Sequence, residues 1–171
     1  VNIEQKVLMA KRGDQAAFTE LILEKKSSLY RIAYSYTRNR EDAFDVVSDA
    51  VYKAYISLHK LNEPAQFYTW LIRILINCAL NLRKANGRLV LTDKPLSQET
   101  DAREDQDALI DLYQAIDALG EPEKTIIILK YLEDMTIEQV AAVMNSPVGT
   151  IKTRLNRALK ELRLELKEAI I

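Results

Sequence analysis

One cysteine, one histidine and one tryptophan occur in 171 residues, with four glycines and four prolines. The single cysteine, Cys78, excludes an internal disulfide framework and fits the reducing cytoplasm. His59 lies far from it in sequence, and neither is surrounded by a ligand cluster, so no metal, no cofactor and no Cys/His nucleophile is expected. So few glycines and prolines, beside abundant Leu, Ile, Ala, Lys and Glu, favour an all-α fold. No apolar run approaches the roughly 20 residues of a membrane span, and the N-terminus lacks a signal-peptide pattern. A cytoplasmic protein with no direct membrane insertion is the expectation. Acidic residues, plentiful elsewhere, are missing from Pro64 to Thr92.

What is present describes a soluble globular chain, 48% hydrophobic and 29% charged, long enough for one ordinary domain or two small ones. The net charge of −1 hides a segregation. Residues 1–84 carry +4, residues 85–107 carry −3, and residues 108–171 carry −2.

Helical spacing of apolar residues runs through most of the chain. It predicts a short helix over Asn2–Arg12 with Ile3, Val7 and Leu8 inward, and a second, capped by Asp14, with Ala17, Phe18, Leu21 and Ile22 as its core face. Ser27-Ser28 is a weak interruption before Leu29, Ile32, Ala33 and Tyr36, and Arg38-Asn39-Arg40 is a polar turn. A helix over Glu41–Leu61 buries Ala43, Val46, Val47, Ala50, Val51, Ala54 and Leu58 and shows Asp42, Asp45, Asp49 and Tyr52 on its other face. Pro64 starts a helix reaching about Lys84, with a core stripe of Phe67, Leu71, Ile74, Cys78 and Leu82 and a second apolar face of Ile72, Ile76 and Leu80. The polar stripe left over is Gln66, Thr69, Arg73, Asn77 and Lys84. An acid-free stripe beside Phe67, Tyr68 and Trp70 suits a nucleic-acid surface, although Phe67 and Trp70 also read as core. Periodicity stops over residues 85–107, where Gly, Pro, Ser, Thr and acids accumulate, and this segment reads as a flexible linker. The pattern resumes with Leu109, Leu112, Tyr113, Ile116 and Leu119. The run Ile126–Leu129 has strand composition but reads as helix, because no partner strand exists.

From Thr136 to Arg163 the chain reads as two helices joined by a tight turn. Thr136 and Gln139 form a capping box. Asn145-Ser146-Pro147 breaks the first helix, with Ser146 as N-cap and Pro147 at the first position of the second. Val148, Ile151, Leu155, Leu159, Leu162 and Leu166 share one face of that second helix. Gly149, Lys152, Thr153, Asn156, Arg157 and Lys160 share the opposite one, with Arg154 on the flank. In a helix-turn-helix the second helix enters the major groove N-terminal end first. Gly149 and Thr150 are small enough there for close approach, Lys152, Thr153 and Asn156 can address bases, and Arg154, Arg157 and Lys160 suit phosphates. The same periodicity also describes an ordinary amphipathic hairpin with a solvated basic face.

Three ordered segments resemble the extracytoplasmic-function (ECF) sigma factors of the sigma-70 superfamily. REDAFDVVSDAVYKAY, from Arg40 to Tyr55, is similar to the family's polymerase-binding helix, departing at Phe44, Ser48 and Val51, with Asp49 where Glu is usual. FYTWLIRILIN, from Phe67 to Asn77, is similar to the promoter-melting and minus-10 helix. Lys124 to Arg163, with GTIKTRLNRA, is similar to the minus-35 helix-turn-helix, with Leu119-Gly120-Glu121-Pro122 in place of the family's Leu-Pro turn. The resemblance implies a region 2-like domain over 1–84, a linker over 85–107 and a region 4-like domain over 108–171. It implies core polymerase binding through Asp42, Asp45, Asp49 and Tyr52. It implies minus-10 capture through Asn62, Gln66, Tyr68, Thr69, Trp70, Arg73 and Asn77. Minus-35 reading falls to Gly149, Thr150, Lys152, Thr153, Arg154, Asn156, Arg157 and Lys160. Core RNA polymerase, promoter DNA and an anti-sigma factor, often membrane-anchored, are the implied partners. A conventional helix-turn-helix repressor would instead use residues 1–84 for sensing or dimerisation. A helical enzyme would need a cluster of titratable groups that the sequence does not show.

Overall fold

In a computed structural model, residues 1–89 and 103–170 are described, and they are helical with no strand among them. They form two units, the first made of Val1–Leu89 with Ala142–Met144 and the second of the other described residues beyond Leu89.

The first unit holds α1 (Ile3–Lys11), α2 (Gln15–Thr37), α3 (Arg40–Ser57) and α4 (Phe67–Leu89). A capping box starts α1: the Asn2 side chain accepts the Gln5 N–H at 2.8 Å and the Gln5 side chain accepts the Asn2 N–H at 3.2 Å. This nine-residue helix packs on α2 through the row Val7 and Ala10. Ile3 and Leu8, expected inward, stay 40% and 43% exposed, because a helix of nine residues buries only a narrow row. Gly13, at φ 100°, makes the sharp exit that other residues resist, and Asp14 caps α2 through the Ala17 N–H at 3.1 Å. The helix runs unbroken through Ser27-Ser28. The propensity penalty of a serine is at most about 0.7 kcal/mol, which burial of Leu21, Leu29 and Ile32 on either side outweighs.

Arg38 leaves α2 in the left-handed region, and Asn39 caps α3 by accepting the Asp42 N–H at 3.0 Å. The small residues Ala43, Val46, Ala50 and Ala54 let α3 approach α2 and α4, while Val47 and Val51, also expected inward, are half-buried at the edge of that row. The expected helix to Leu61 instead ends at Ser57 and passes into a 3₁₀ turn, Leu58–Lys60. Ser57 donates its hydroxyl to the Lys53 carbonyl, the kind of back-bonding that loosens a helix end. Pro64–Gln66 is a second 3₁₀ turn, so α4 proper begins at Phe67 rather than Pro64. The centre of the unit is the α4 row Phe67, Leu71, Leu75 and Ala79, all fully buried, while the expected core residues Ile74 and Leu82 are half-buried on its flank. Lys11 Nζ donates to the Leu61 carbonyl at 2.6 Å and pins the α3–α4 connection to α1.

The second unit carries α5 (Arg103–Ala118), α6 (Glu123–Ile127), most of α7 (Ile137–Met144) and α8 (Val148–Ile170). The segment read as linker is therefore helical at both ends, since α4 runs on to Leu89 and α5 starts at Arg103. Its middle, residues 90–102, lies outside the described residues. A lone Gly87 costs a helix only about 1 kcal/mol, so α4 can run through it. The Ile126–Leu129 run is helical, entering a π turn at Ile128–Leu132. Both α5 and α6 pack on α8.

Lys124 of α6 is 1% exposed and meets Asp117 Oδ1 of α5 at 2.5 Å. Asp117→Ala should destabilise the second unit by roughly 2–3 kcal/mol, below the ~3–5 kcal/mol of a fully buried pair because Asp117 is 37% exposed. Asp117→Ala with Lys124→Met should recover most of that loss. Trp70, the single tryptophan, lies in the first unit. In urea titrations of the full chain the change should therefore appear in circular dichroism and leave the tryptophan fluorescence transition in place.

Candidate nucleic-acid interface

The helix-turn-helix is built as its local chemistry dictates. Thr136 N–H donates to Gln139 Oε1 at 2.9 Å and Gln139 N–H to Thr136 Oγ1 at 3.1 Å, the reciprocal pair that starts α7. Asn145 takes φ 49°, a left-handed conformation that asparagine tolerates better than most residues, and the Ser146 N–H closes back on the Ala141 carbonyl at 3.0 Å. The expected start of the second helix shifts by one residue. The Pro147 carbonyl accepts the first bond, from the Ile151 N–H at 3.2 Å, so Pro147 occupies the N-cap position and α8 begins at Val148.

Ile151, Leu155, Ala158 and Leu162 are buried along α8. Gly149, Lys152, Thr153, Asn156, Arg157 and Lys160 are exposed on the other side, with Thr150 and Arg154 half-buried at its edge. No acid falls between Val148 and Lys160, so four cations act in one sense there. Gly149, Thr150, Thr153, Arg154 and Arg157 line a shallow open depression. Thr153 donates its hydroxyl to the Gly149 carbonyl at 3.0 Å, which engages its one O–H within the helix. Arg154 and Arg157 approach one acid that sequence reasoning missed. Glu123 Oε1 of α6 is 3.6 Å from Arg154 Nη1 and 3.9 Å from Arg157 Nη1. A separation of some thirty residues leaves no sequence signal for that meeting.

On and before α4 the residues expected to form the polar stripe differ in exposure. Asn62 and Gln66 are exposed before it, Asn77 is exposed on it, and Thr69, Trp70 and Arg73 are half-buried. Tyr68 turns the other way. Its hydroxyl lies 3.2 Å from the Leu21 carbonyl and 3.0 Å from Glu24 Oε2, and Lys25 Nζ sits 5.0 Å from its ring centre. Burial first, then the Glu24 carboxylate, pushes the phenol's pKa well above its ordinary value. Glu24 is itself held below the usual carboxylate range by Lys6 and then by the Tyr68 hydroxyl. Tyr68 thus closes a polar cluster between α1, α2 and α4 and does not join the stripe.

On α3, Asp45, Asp49 and Tyr52 are exposed and Asp42 is half-buried in the first turn, where a carboxylate also complements the helix dipole. Asp49 is not a bare charge: Lys53 Nζ lies 3.1 Å away. The same ammonium lies 3.7 Å from Cys78 Sγ, whose pKa is raised by burial and by Asp49. Phe44 remains 52% exposed, its ring centre 5.0 Å from that of Tyr30. Among the described residues no cluster of metal-ligating side chains occurs.

Two family models match the chain: Sigma-70 region 2 over residues 21–89 and Sigma-70, region 4 over residues 109–162. The RNA polymerase sigma factor SigV of Bacillus subtilis (strain 168) is 35% identical over 157 residues, 91% of this chain and 95% of that protein. The ECF RNA polymerase sigma factor SigW of the same organism is 28% identical over 182 residues, 97% of each chain. Among solved structures, the sigma factor RpoE in complex with the anti-sigma factor NepR from Bartonella quintana superposes with a TM-score of 0.71. It is 26% identical, with 88% of this chain and 96% of that one covered.

The geometry of α8 separates three substitutions. Asn156→Ala should change preference at one base pair of a bound duplex by about 1–3 kcal/mol. Arg157→Ala should weaken all duplexes alike and flatten the dependence of binding on salt by about one unit of slope. Thr153→Val, which keeps the branched shape and loses a hydroxyl whose proton is already engaged, should change binding by less than about 0.5 kcal/mol. Anisotropy titrations on a panel of single-base variants read all three.

Proposed function

The chain belongs to the sigma-70 family, in its extracytoplasmic-function branch, and from that premise we propose how its residues divide the work of starting transcription. It is a sigma factor that binds core RNA polymerase and directs initiation at promoters through minus-10 and minus-35 elements. The polymerase does the chemistry and the chain is not an enzyme.

The observation that carries the division is the opposition of charge on two helices. The outward face of α8 is cationic and acid-free from Val148 to Lys160, whereas α3 presents Asp42, Asp45 and Asp49 with Tyr52. Phosphate favours the first face and is repelled by the second, so α8 reads duplex at minus-35 and α3 docks on a basic protein surface of the polymerase. Gly149 and Thr150 allow the approach of α8, Lys152, Thr153 and Asn156 address base edges, and Arg154, Arg157 and Lys160 take phosphates. Between these tasks, the α3–α4 connection and the α4 stripe capture the opened minus-10 strand. Asn62 and Gln66 stand at its entry, Trp70 offers a stacking face, and Thr69, Arg73 and Asn77 offer polar contacts. Tyr68 supports that surface from behind through Leu21 and Glu24. The corresponding domains are 1–89, where α4 ends, and the helices from Arg103 onward.

The protein works where polymerase and DNA are, in the cytoplasm, and no described helix is long and apolar enough to cross a membrane. An anti-sigma factor holds it inactive by covering the surfaces meant for polymerase, as the relative solved with NepR suggests. A membrane anchor on that factor would link release to an external signal.

Run-off transcription with purified core polymerase tests the assignment: promoter-specific transcripts should require the added protein. Asp45→Lys should weaken core binding by several kcal/mol, of the order of ~2–4, because it sets like charges against each other. Asp49→Lys should cost less, since Lys53 already offsets that carboxylate. Competition pull-downs with helicity checked by circular dichroism measure both, and equal, undiminished core binding would overturn the docking face.

A further inference from the structure

Glu123 opens α6 and is 8% exposed, buried as firmly as many core residues. The packing of α6 on α8 brings it there, with Ile126 and Ile127 buried behind it. One carboxylate oxygen faces two guanidiniums that stand three residues apart on α8, at 3.6 Å and 3.9 Å. Both arginines also border the depression at the start of α8. These separations exceed hydrogen-bonding range, so the attraction is coulombic and either arginine can swing outward without breaking a hydrogen bond to Glu123.

We propose that Glu123 is a specificity-determining positioning residue, an internal stand-in for a DNA phosphate that holds Arg154 and Arg157 until a well-seated duplex displaces it. The inference rests on the reading of α8 as the duplex-reading helix. A guanidinium gains most from a phosphate when it can make two parallel hydrogen bonds, which requires the backbone to lie close and in register. On a sequence that lets α8 seat fully, both arginines exchange the distant carboxylate for such bonds. On a sequence that holds α8 off, the phosphates stay out of reach and the carboxylate keeps its counter-ions. Its charge is only partly screened because little of the side chain meets water. The carboxylate therefore weakens binding everywhere, and weakens poorly seated complexes most, which widens the gap between right and wrong sequences. Phosphate-binding arginines without such a competitor would hold any duplex.

The test uses the complete protein in complex with core polymerase. A duplex pool randomised upstream of a fixed minus-10 region is enriched on the wild-type complex. The enriched duplex and a scrambled duplex of the same composition then serve as probes in anisotropy titrations over a range of salt. Glu123→Gln, which keeps the shape and removes the charge, should tighten scrambled-duplex binding and narrow the enriched-to-scrambled ratio by about tenfold. The salt slope on the scrambled duplex should steepen by about one, the signature of an added phosphate contact. Glu123→Asp should fall between the two. With Arg154→Ala and Arg157→Ala in place, Glu123→Gln should no longer change the ratio, an outcome that a role in merely bracing α6 would not give. An unchanged ratio, or a parallel loss on both duplexes, overturns the proposal. If the wild-type complex enriches no upstream sequence, the reading of α8 fails and takes this inference with it.

Discussion

Burying Ile151, Leu155, Ala158 and Leu162 fixes which way α8 turns, and the interface depends on that constraint more than on any polar contact. Apolar residues at intervals of three and four claim one side of a helix, so the side chains between them have no choice of direction. Each buried aliphatic side chain contributes about 1.5–3 kcal/mol, whereas an exposed ion pair contributes about 0–1 kcal/mol. The core therefore sets the rotation of α8 about its axis, and Lys152, Asn156 and Arg157 are aimed as a by-product. The same logic holds for α4, where the row Phe67, Leu71, Leu75 and Ala79 turns Asn77 outward.

Features that live within one or two turns of chain were legible in the sequence. The Thr136–Gln139 box, the Asp14 cap and the break at Asn145–Pro147 each depend on neighbours a few residues away, and each formed within a residue of expectation. Element ends were harder. Ser57 and Pro64 divert the chain into 3₁₀ turns, while Ser27-Ser28 and Gly87 do not interrupt their helices. The difference is tertiary: a penalty below about 1 kcal/mol matters at a helix end and vanishes between buried turns. Conversely, acids and a lost apolar period disguised the start of α5, because carboxylates at a helix N-terminus look like linker composition.

Contacts between distant segments were not legible at all. Tyr68 sits beside Phe67 and Trp70 in sequence and was grouped with them, yet its hydroxyl meets Leu21 and Glu24, more than forty residues earlier. A buried phenol needs a partner, and the only way to know where it finds one is to know which helix lies alongside. Asp49 was read with Asp42 and Asp45 as one acidic face. Lys53 is one turn on, so that pairing was visible in principle, but its reach to Cys78 across to α4 was not. Nothing near Lys124 in the sequence marks it as buried, yet it is 1% exposed and paired with Asp117.

The charge arrangement resolves an apparent contradiction, a nucleic-acid-binding unit with more acids than bases. Net charge governs a partner many Debye lengths away, and at physiological salt that length is only about 8 Å. At contact the partner meets local charge, and from Val148 to Lys160 that is positive alone. Acids elsewhere on the unit lower its long-range attraction for any polyanion, including the bulk of the chromosome, without lowering attraction at the docked face. A sigma factor gains from that bargain, because polymerase delivers it to DNA and its own long-range pull would only add unproductive sites. Glu123 carries the same principle inside the contact distance. There screening no longer separates near from far, and one carboxylate beneath two arginines makes their attraction conditional on fit.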